Sequence, residues 1–155
     1  RKRHEMREFK RIILHCTATP EGGHYDVATI RGWHTSPPRN WSDIGYHYVI
    51  YLDGSIHEGR PVSKMGAHTK KHNEDSIGVV YVGGLDKDNK PKDTMTVKQE
   101  MAFLLLVRSL RTVFGPMTIH GHNEFSSKAC PSFEVRDKYK FLIIPNNGVS
   151  YDELG

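Results

Sequence analysis

The stretch Tyr46-His47-Tyr48-Val49-Ile50-Tyr51-Leu52-Asp53-Gly54-Ser55-Ile56-His57-Glu58 decides the architecture. Two β-rich segments, 46–52 and 55–58, flank Asp53-Gly54, a dipeptide whose residues tolerate the positive φ angles of a tight hairpin turn. Two antiparallel strands are therefore predicted. Working outward, Phe9 to Cys16 contains the apolar run Ile12-Ile13-Leu14, is bounded by Thr17, Thr19 and Pro20, and reads as a buried strand. Ser76 to Val82 is another β-rich run, closed by Gly83-Gly84, and Met117 to His120 is a short one. Helical signals lie between them. Asp26 offers an N-cap for a helix with Val27, Ile30, Trp33 and His34 at helical spacing, stopped by Pro37-Pro38. Thr96 and Gln99 form a capping box ahead of a helix that runs to Phe114 and ends at Gly115-Pro116. Its apolar residues, Met101 and Phe103 to Val107, cover more than one face and predict a helix set deep against the sheet. Leu85 to Asp93 reads as a polar loop, and the last helix is expected within Pro131 to Tyr139. Strands and helices interleave without a repeat or linker, which predicts a single α/β domain with a central mixed β-sheet flanked by helices.

Charge divides the chain differently from hydrophobicity. The 155 residues hold 22 Lys and Arg against 18 Asp and Glu, a formal charge of +4. Arg1, Lys2, Arg3, Arg7, Lys10 and Arg11 face only Glu5 and Glu8, so the whole excess lies in the first eleven residues and the rest is balanced. A neutral body excludes a domain-wide cationic surface of the kind that tracks a phosphate backbone. The divisions expected are a basic arm at 1–8, the folded domain at 9–140 and a Gly- and Asn-rich tail at 141–155. No apolar run approaches the roughly 20 residues that cross a bilayer, and none near the start resembles a secretory signal. A soluble protein acting away from the membrane is expected, although the chain opens on Arg rather than Met.

Ten histidines and two cysteines raise the prospect of metal chemistry. His15 ends the first strand, His122 follows the strand Met117 to His120, and Cys130 lies in the next loop. Two imidazoles and a thiolate with water in the fourth position form an open zinc set, which is catalytic rather than structural. Two rivals stand beside it. Cys16 could replace Cys130, but strand alternation turns it away from His15; His120 shares a face with His122 if the strand runs that far. No His-Glu-x-x-His pattern is present, and Glu58 and Glu124 match no zincin arrangement. Trp33 and His34 could line a groove, though the helical spacing of Trp33 favours the core.

His15-Cys16-Thr17-Ala18-Thr19, Gly45-Tyr46-His47-Tyr48-Val49-Ile50, Asp53-Gly54, Ser76-Ile77-Gly78-Val79, Gly121-His122-Asn123-Glu124 and Lys128-Ala129-Cys130-Pro131-Ser132-Phe133 occur in that order. Together they resemble the landmarks of the zinc amidases that cut peptidoglycan, a family that includes small bacteriophage amidase-type lysozymes and animal peptidoglycan recognition proteins. The resemblance spans residue 9 to about residue 140. It implies hydrolysis of the bond between the lactyl group of N-acetylmuramic acid and L-alanine, with Zn2+ held by His15, His122 and Cys130. It further implies that Tyr46 and Lys128 are catalytic, and that His68, within Gly66-Ala67-His68, approaches the substrate. Zinc would activate water and polarise the scissile carbonyl, while a phenol and an ammonium stabilise the developing oxyanion.

Two other classes compete. A recognition module that binds peptidoglycan without cutting it resembles the enzymes but lacks a complete zinc set, typically at the cysteine position. A regulator would use the basic arm to bind nucleic acid or a protein such as RNA polymerase, as some small phage amidases do besides lysis. A solvated terminus is the plainer reading of the arm. With only two cysteines, and none left for a bridge if Cys130 ligates zinc, the phage branch fits better than a secreted animal domain. A monomeric lytic enzyme made in the host bacterial cytoplasm, and acting on the cell wall at the end of infection, is the resulting expectation.

Overall fold

The hairpin around Asp53-Gly54 forms the edge of a five-stranded sheet in a computed structural model that describes residues 7–142. Strand β3 (Tyr48–Ile50) pairs antiparallel with β4 (Ile56–Glu58), Tyr48 lying opposite Glu58. Gly54 turns the chain at φ +85°, and a Cβ there would lie 2.8 Å from the Lys98 carbonyl oxygen, so both backbone conformation and space call for glycine.

Every other pairing in this sheet is parallel. In chain order, β1 is Arg11–Cys16, β2 Thr19–Pro20, β5 Ser76–Tyr81, β6 Gly84–Leu85 and β7 Thr118–Gly121. The sheet order β4-β3-β5-β1-β7 makes β3, β5, β1 and β7 four parallel strands and puts β1 between β5 and β7, with His15 beside Val80 and Leu14 beside Gly121. This is the expected mixed sheet. The pairing of β2 with β6 in a separate two-stranded sheet is unanticipated: Gly84-Leu85 contributes a parallel strand where a polar loop was predicted to begin.

Helices cover both faces. Helix α1 (Val27–Thr35) starts at Asp26, whose side chain accepts from the Thr29 N–H at 2.8 Å, and buries Ile30 with Ile44, Val49, Val80 and Val82. Helix α2 (Val97–Phe114) starts at the predicted capping box, Thr96 Oγ1 accepting from the Gln99 N–H and Gln99 Oε1 accepting from the Thr96 N–H. Its Phe103, Leu106, Val107 and Leu110 pack on Ile12, Leu14, Ile77 and Val79. Apolar character on more than one side does not bury the whole helix. Val97, Met101, Leu105 and Val113 are exposed, because α2 forms an outer layer that packs inward on the sheet and on Tyr139 and turns its other side outward. Helix α3 (Val135–Lys138) is a single turn within the segment predicted to hold it.

Of the expected divisions, residues 1–6 of the arm and 143–155 of the tail lie outside the described residues. Arg7 packs on the body: its Nε–H donates to the Val62 carbonyl at 3.0 Å, and its guanidinium lies 4.8 Å from the Phe9 ring centre. None of the described helices is long and apolar enough to cross a membrane.

Two buried histidines should make the fold acid-sensitive. His47 is fully buried, its Nδ1 accepting from the Gly78 N–H at 3.0 Å, and His34 Nδ1 accepts from the Gly45 N–H at 2.9 Å. Burial is the chief force that depresses both, each to about 4 from an ordinary 6.5. The unfolded chain therefore binds more protons between those pH values, so this contribution is present above pH 6.5 and is lost as pH falls through 4. Urea unfolding of the metal-free protein should show stability falling across that window, by on the order of 2 kcal/mol per histidine. A flat profile from pH 7 to 4.5 would contradict the assignment.

Candidate metal centre and active site

His15 occupies the penultimate position of β1, at the carboxyl ends of the parallel strands. Because Leu14 pairs with Gly121, the residue after β7 comes to lie beside His15; that residue is His122, its ring centre 4.6 Å from the His15 ring. A 3-10 turn, His122–Glu124, holds it, with Glu124 Oε2 accepting from the Gly121 N–H at 2.9 Å. The loop bearing Cys130 is tied down on both sides. Tyr81 donates its hydroxyl to the Pro131 carbonyl at 2.7 Å, Ser132 donates to the Gly84 carbonyl at 2.7 Å, and the Cys16 N–H donates to Cys130 Sγ at 3.2 Å.

The ligand atoms of His15, His122 and Cys130 all lie within 4.8 Å of one another, and they form the one such group found among the described residues. A tetrahedral zinc with bonds of 2.0–2.3 Å would need separations of about 3.3–3.6 Å between two nitrogens and a sulfur, so the set would close by contractions of no more than about 1.5 Å. His15 is nearly fully buried, and burial holds it well below its usual pKa, in the neutral form that ligates. The donors fit a metal with an open fourth position. Neither rival joins them. His120 engages Glu124 Oε1 through Nδ1 and Thr118 Oγ1 through Nε2, each at 2.8 Å, and Cys16 turns into the core on the α2 face. Both cysteines are free.

Tyr46 lies two residues before β3, with its ring centre 5.1 Å from that of His15. Burial pushes its phenol pKa upward, so the hydroxyl stays protonated at neutral pH and serves as a donor. The Lys128 side chain is exposed; burial is the chief cause that depresses both His15 and His122, and the Lys128 ammonium adds to it in the same direction. A pocket of about 120 Å³ opens beside Tyr46, lined by Thr17, Ile30, Trp33, His34 and Arg39. Trp33 is 40% exposed there rather than in the core, because α1 turns only Ile30 and His34 fully inward. Thr17 and Arg39 carry no sequence pattern that announces a pocket.

His68 lies against the centre. Its Nδ1 is 2.8 Å from His15 Nε2 and 2.9 Å from Thr69 Oγ1, and its Nε2 is 3.3 Å from Ser76 Oγ. Both ring nitrogens are thus engaged by the protein. Thr69, Asn73 and Ser76, which hold this ring, carry no signal of that role in their residue types; Asn73 follows His68 in its loop and Ser76 opens the Ser76-Ile77-Gly78-Val79 landmark.

An α/β sheet that brings an open His-His-Cys donor set to its strand ends, beside a phenol and an ammonium, has the architecture of a metal-assisted hydrolase. Residues 5–133 match the family model for N-acetylmuramoyl-L-alanine amidase, and the chain belongs to that family. Its activity is peptidoglycan amide hydrolysis. The endolysin of Enterobacteria phage K11 is 36% identical over 135 residues, covering 87% of this chain and 86% of the relative. The endolysin of Escherichia phage T7 is 36% identical over 125 residues, covering 81% and 82%. Among solved structures, the fold is shared by wild-type Drosophila PGRP-LB at a TM-score of 0.74 and 21% identity, covering 93% of this chain and 88% of that one. It is also shared by the N-acetylmuramoyl-L-alanine amidase LysC of Clostridium intestinale, at a TM-score of 0.71 and 23% identity, with 88% of each chain covered.

Proposed function

We propose that this chain is a zinc-dependent endolysin that cuts the amide between the lactyl group of N-acetylmuramic acid and L-alanine, releasing a phage from its host. The convergence of the His15, His122 and Cys130 donor atoms within 4.8 Å carries the reading. When bound, zinc supplies Lewis acidity toward the scissile carbonyl and lowers the pKa of a coordinated water toward 7. The chain's own residues do the rest. Tyr46, kept protonated by burial, donates to the oxygen on which negative charge develops. Lys128 brings an ammonium to the same rim and favours that charge electrostatically. Arg39 adds a cation to the pocket beside Tyr46, suited to the carboxylates of a stem peptide.

The endolysin relatives support a lytic role with action on the cell wall; synthesis in the host cytoplasm and a monomeric enzyme are part of the same proposal. A recognition module that binds without cutting is disfavoured by the complete donor set and by the phenol and lysine beside it. The deciding experiment is metal analysis together with release of free L-alanine amino groups from purified walls, before and after chelation. One zinc per chain is expected, with cleavage lost on chelation and restored by zinc. Cleavage that persists in fully stripped protein would overturn metal dependence; wall binding without cleavage at any zinc level would leave only recognition.

A further inference from the structure

We propose that His68 is a positioning residue: locked by Ser76, it fixes the His15 imidazole in the tautomer that leaves Nδ1 as the lone-pair nitrogen for the metal. The inference rests on the zinc reading above and adds to it the groups that orient the first ligand.

The argument starts at the far end of a hydrogen-bond chain. Ser76 is fully buried and donates its only hydroxyl proton to the His72 carbonyl at 2.6 Å. Its oxygen can therefore only accept from His68 Nε2 at 3.3 Å, which assigns the single proton of a neutral His68 ring to Nε2. His68 Nδ1 is then an acceptor. It faces His15 Nε2 at 2.8 Å, a separation at which two bare nitrogen lone pairs repel, so the proton between them belongs to His15 Nε2. Thr69 Oγ1, 2.9 Å from His68 Nδ1 and 3.2 Å from His15 Nε2, can reinforce either contact without changing this assignment. The remaining nitrogen of His15, Nδ1, carries a lone pair and no proton.

Packing holds the chain in place independently of its hydrogen bonds. A Cβ on Gly78 would lie 2.5 Å from His68 Cδ2 and 2.6 Å from Cγ, so the ring rests directly on the backbone of β5. A Cβ on Gly66 would meet the same Cδ2 at 2.8 Å. The N–H groups of His68 and Thr69 both donate to Asn73 Oδ1, at 2.9 and 2.8 Å, which closes the loop under the ring. Glycine at 78 and serine at 76 thereby gain a purpose on β5 that strand propensity does not supply. A ligating histidine commonly donates its second N–H to such a partner, which sets the tautomer and raises ligand basicity.

Two measurements test this. Long-range nitrogen–proton NMR of the metal-free protein should find His15 and His68 both protonated on Nε2. Zinc affinity by chelator competition should fall about 10- to 100-fold in His68→Ala. His68→Asn, whose side-chain oxygen can take the place of Nδ1, should recover affinity to within a few-fold of wild type, a rescue that a merely space-filling role does not produce. Ser76→Ala should populate the other His68 tautomer and weaken zinc several-fold. A wild-type His15 protonated on Nδ1 overturns the proposal, as does His68→Ala binding zinc as tightly as wild type. If His68→Ala fails to fold, the wild-type tautomers decide alone. A wild-type protein that binds no zinc sinks the zinc reading instead, and the tautomers of the metal-free protein are still scored separately.

Discussion

Cys130→Ser removes zinc and amide hydrolysis together while leaving the metal-free fold intact. The substitution deletes the one soft, anionic donor of the set and leaves two neutral imidazoles, because a serine hydroxyl does not ionise near pH 7. Structural zinc sites bind with about 10–16 kcal/mol over four ligands, so the loss of one is worth roughly 3 kcal/mol, a hundredfold or more in affinity. Three anchors hold the surrounding loop without the sulfur: Tyr81 on the Pro131 carbonyl, Ser132 on the Gly84 carbonyl and Asn123 on the Phe133 carbonyl. The metal-free variant should therefore unfold within about 1 kcal/mol of the metal-free wild type, the ordinary range for a change at an incompletely buried position. Zinc content and wall hydrolysis are the readouts. Unchanged zinc in the serine variant would remove Cys130 from the ligand set and reopen the place for another donor.

The contrast between Cys130 and the hairpin shows what a sequence can carry. Asp53-Gly54 and the Thr96/Gln99 capping box encode local geometry, and both form as predicted, since the partners are within a few residues of each other. The pairing of Thr19-Pro20 with Gly84-Leu85 joins two-residue segments more than sixty positions apart, too short to show any periodicity. The burial of α2 also depends on what lies beyond it: with partners on its inner side alone, Met101 and Leu105 stay exposed whatever their hydrophobicity. The candidate site divides in the same way. That His15 lies at the end of a strand run, one residue before its last, was legible from the apolar residues before it, but its neighbours are fixed by register, Leu14 against Gly121, which no local pattern states. The choice of His122 over His120 came from family resemblance. Geometry supplies the physical reason, since Glu124 and Thr118 already occupy both nitrogens of His120.

Tyr46→Phe separates metal binding from turnover. The phenyl ring keeps its packing beside His15 and His34, whose ring centres lie 5.1 and 5.4 Å away, so no cavity opens and the donor set is undisturbed. Only the hydroxyl is lost. Removing one preorganised donor to a developing oxyanion costs about 10²- to 10³-fold in kcat, while binding of the uncharged ground-state carbonyl changes little. The expected result is full zinc content, a nearly unchanged KM and a kcat on purified walls reduced by that factor. Lys128→Ala should lower kcat in the same direction through lost electrostatic stabilisation, by a smaller factor because solvent screens its exposed ammonium. The alternative role for Tyr46, packing alone, predicts the opposite pattern, because phenylalanine preserves packing completely. Wild-type kcat in Tyr46→Phe would leave the tyrosine as a wall of the pocket and put the burden of oxyanion stabilisation on Lys128 and the metal.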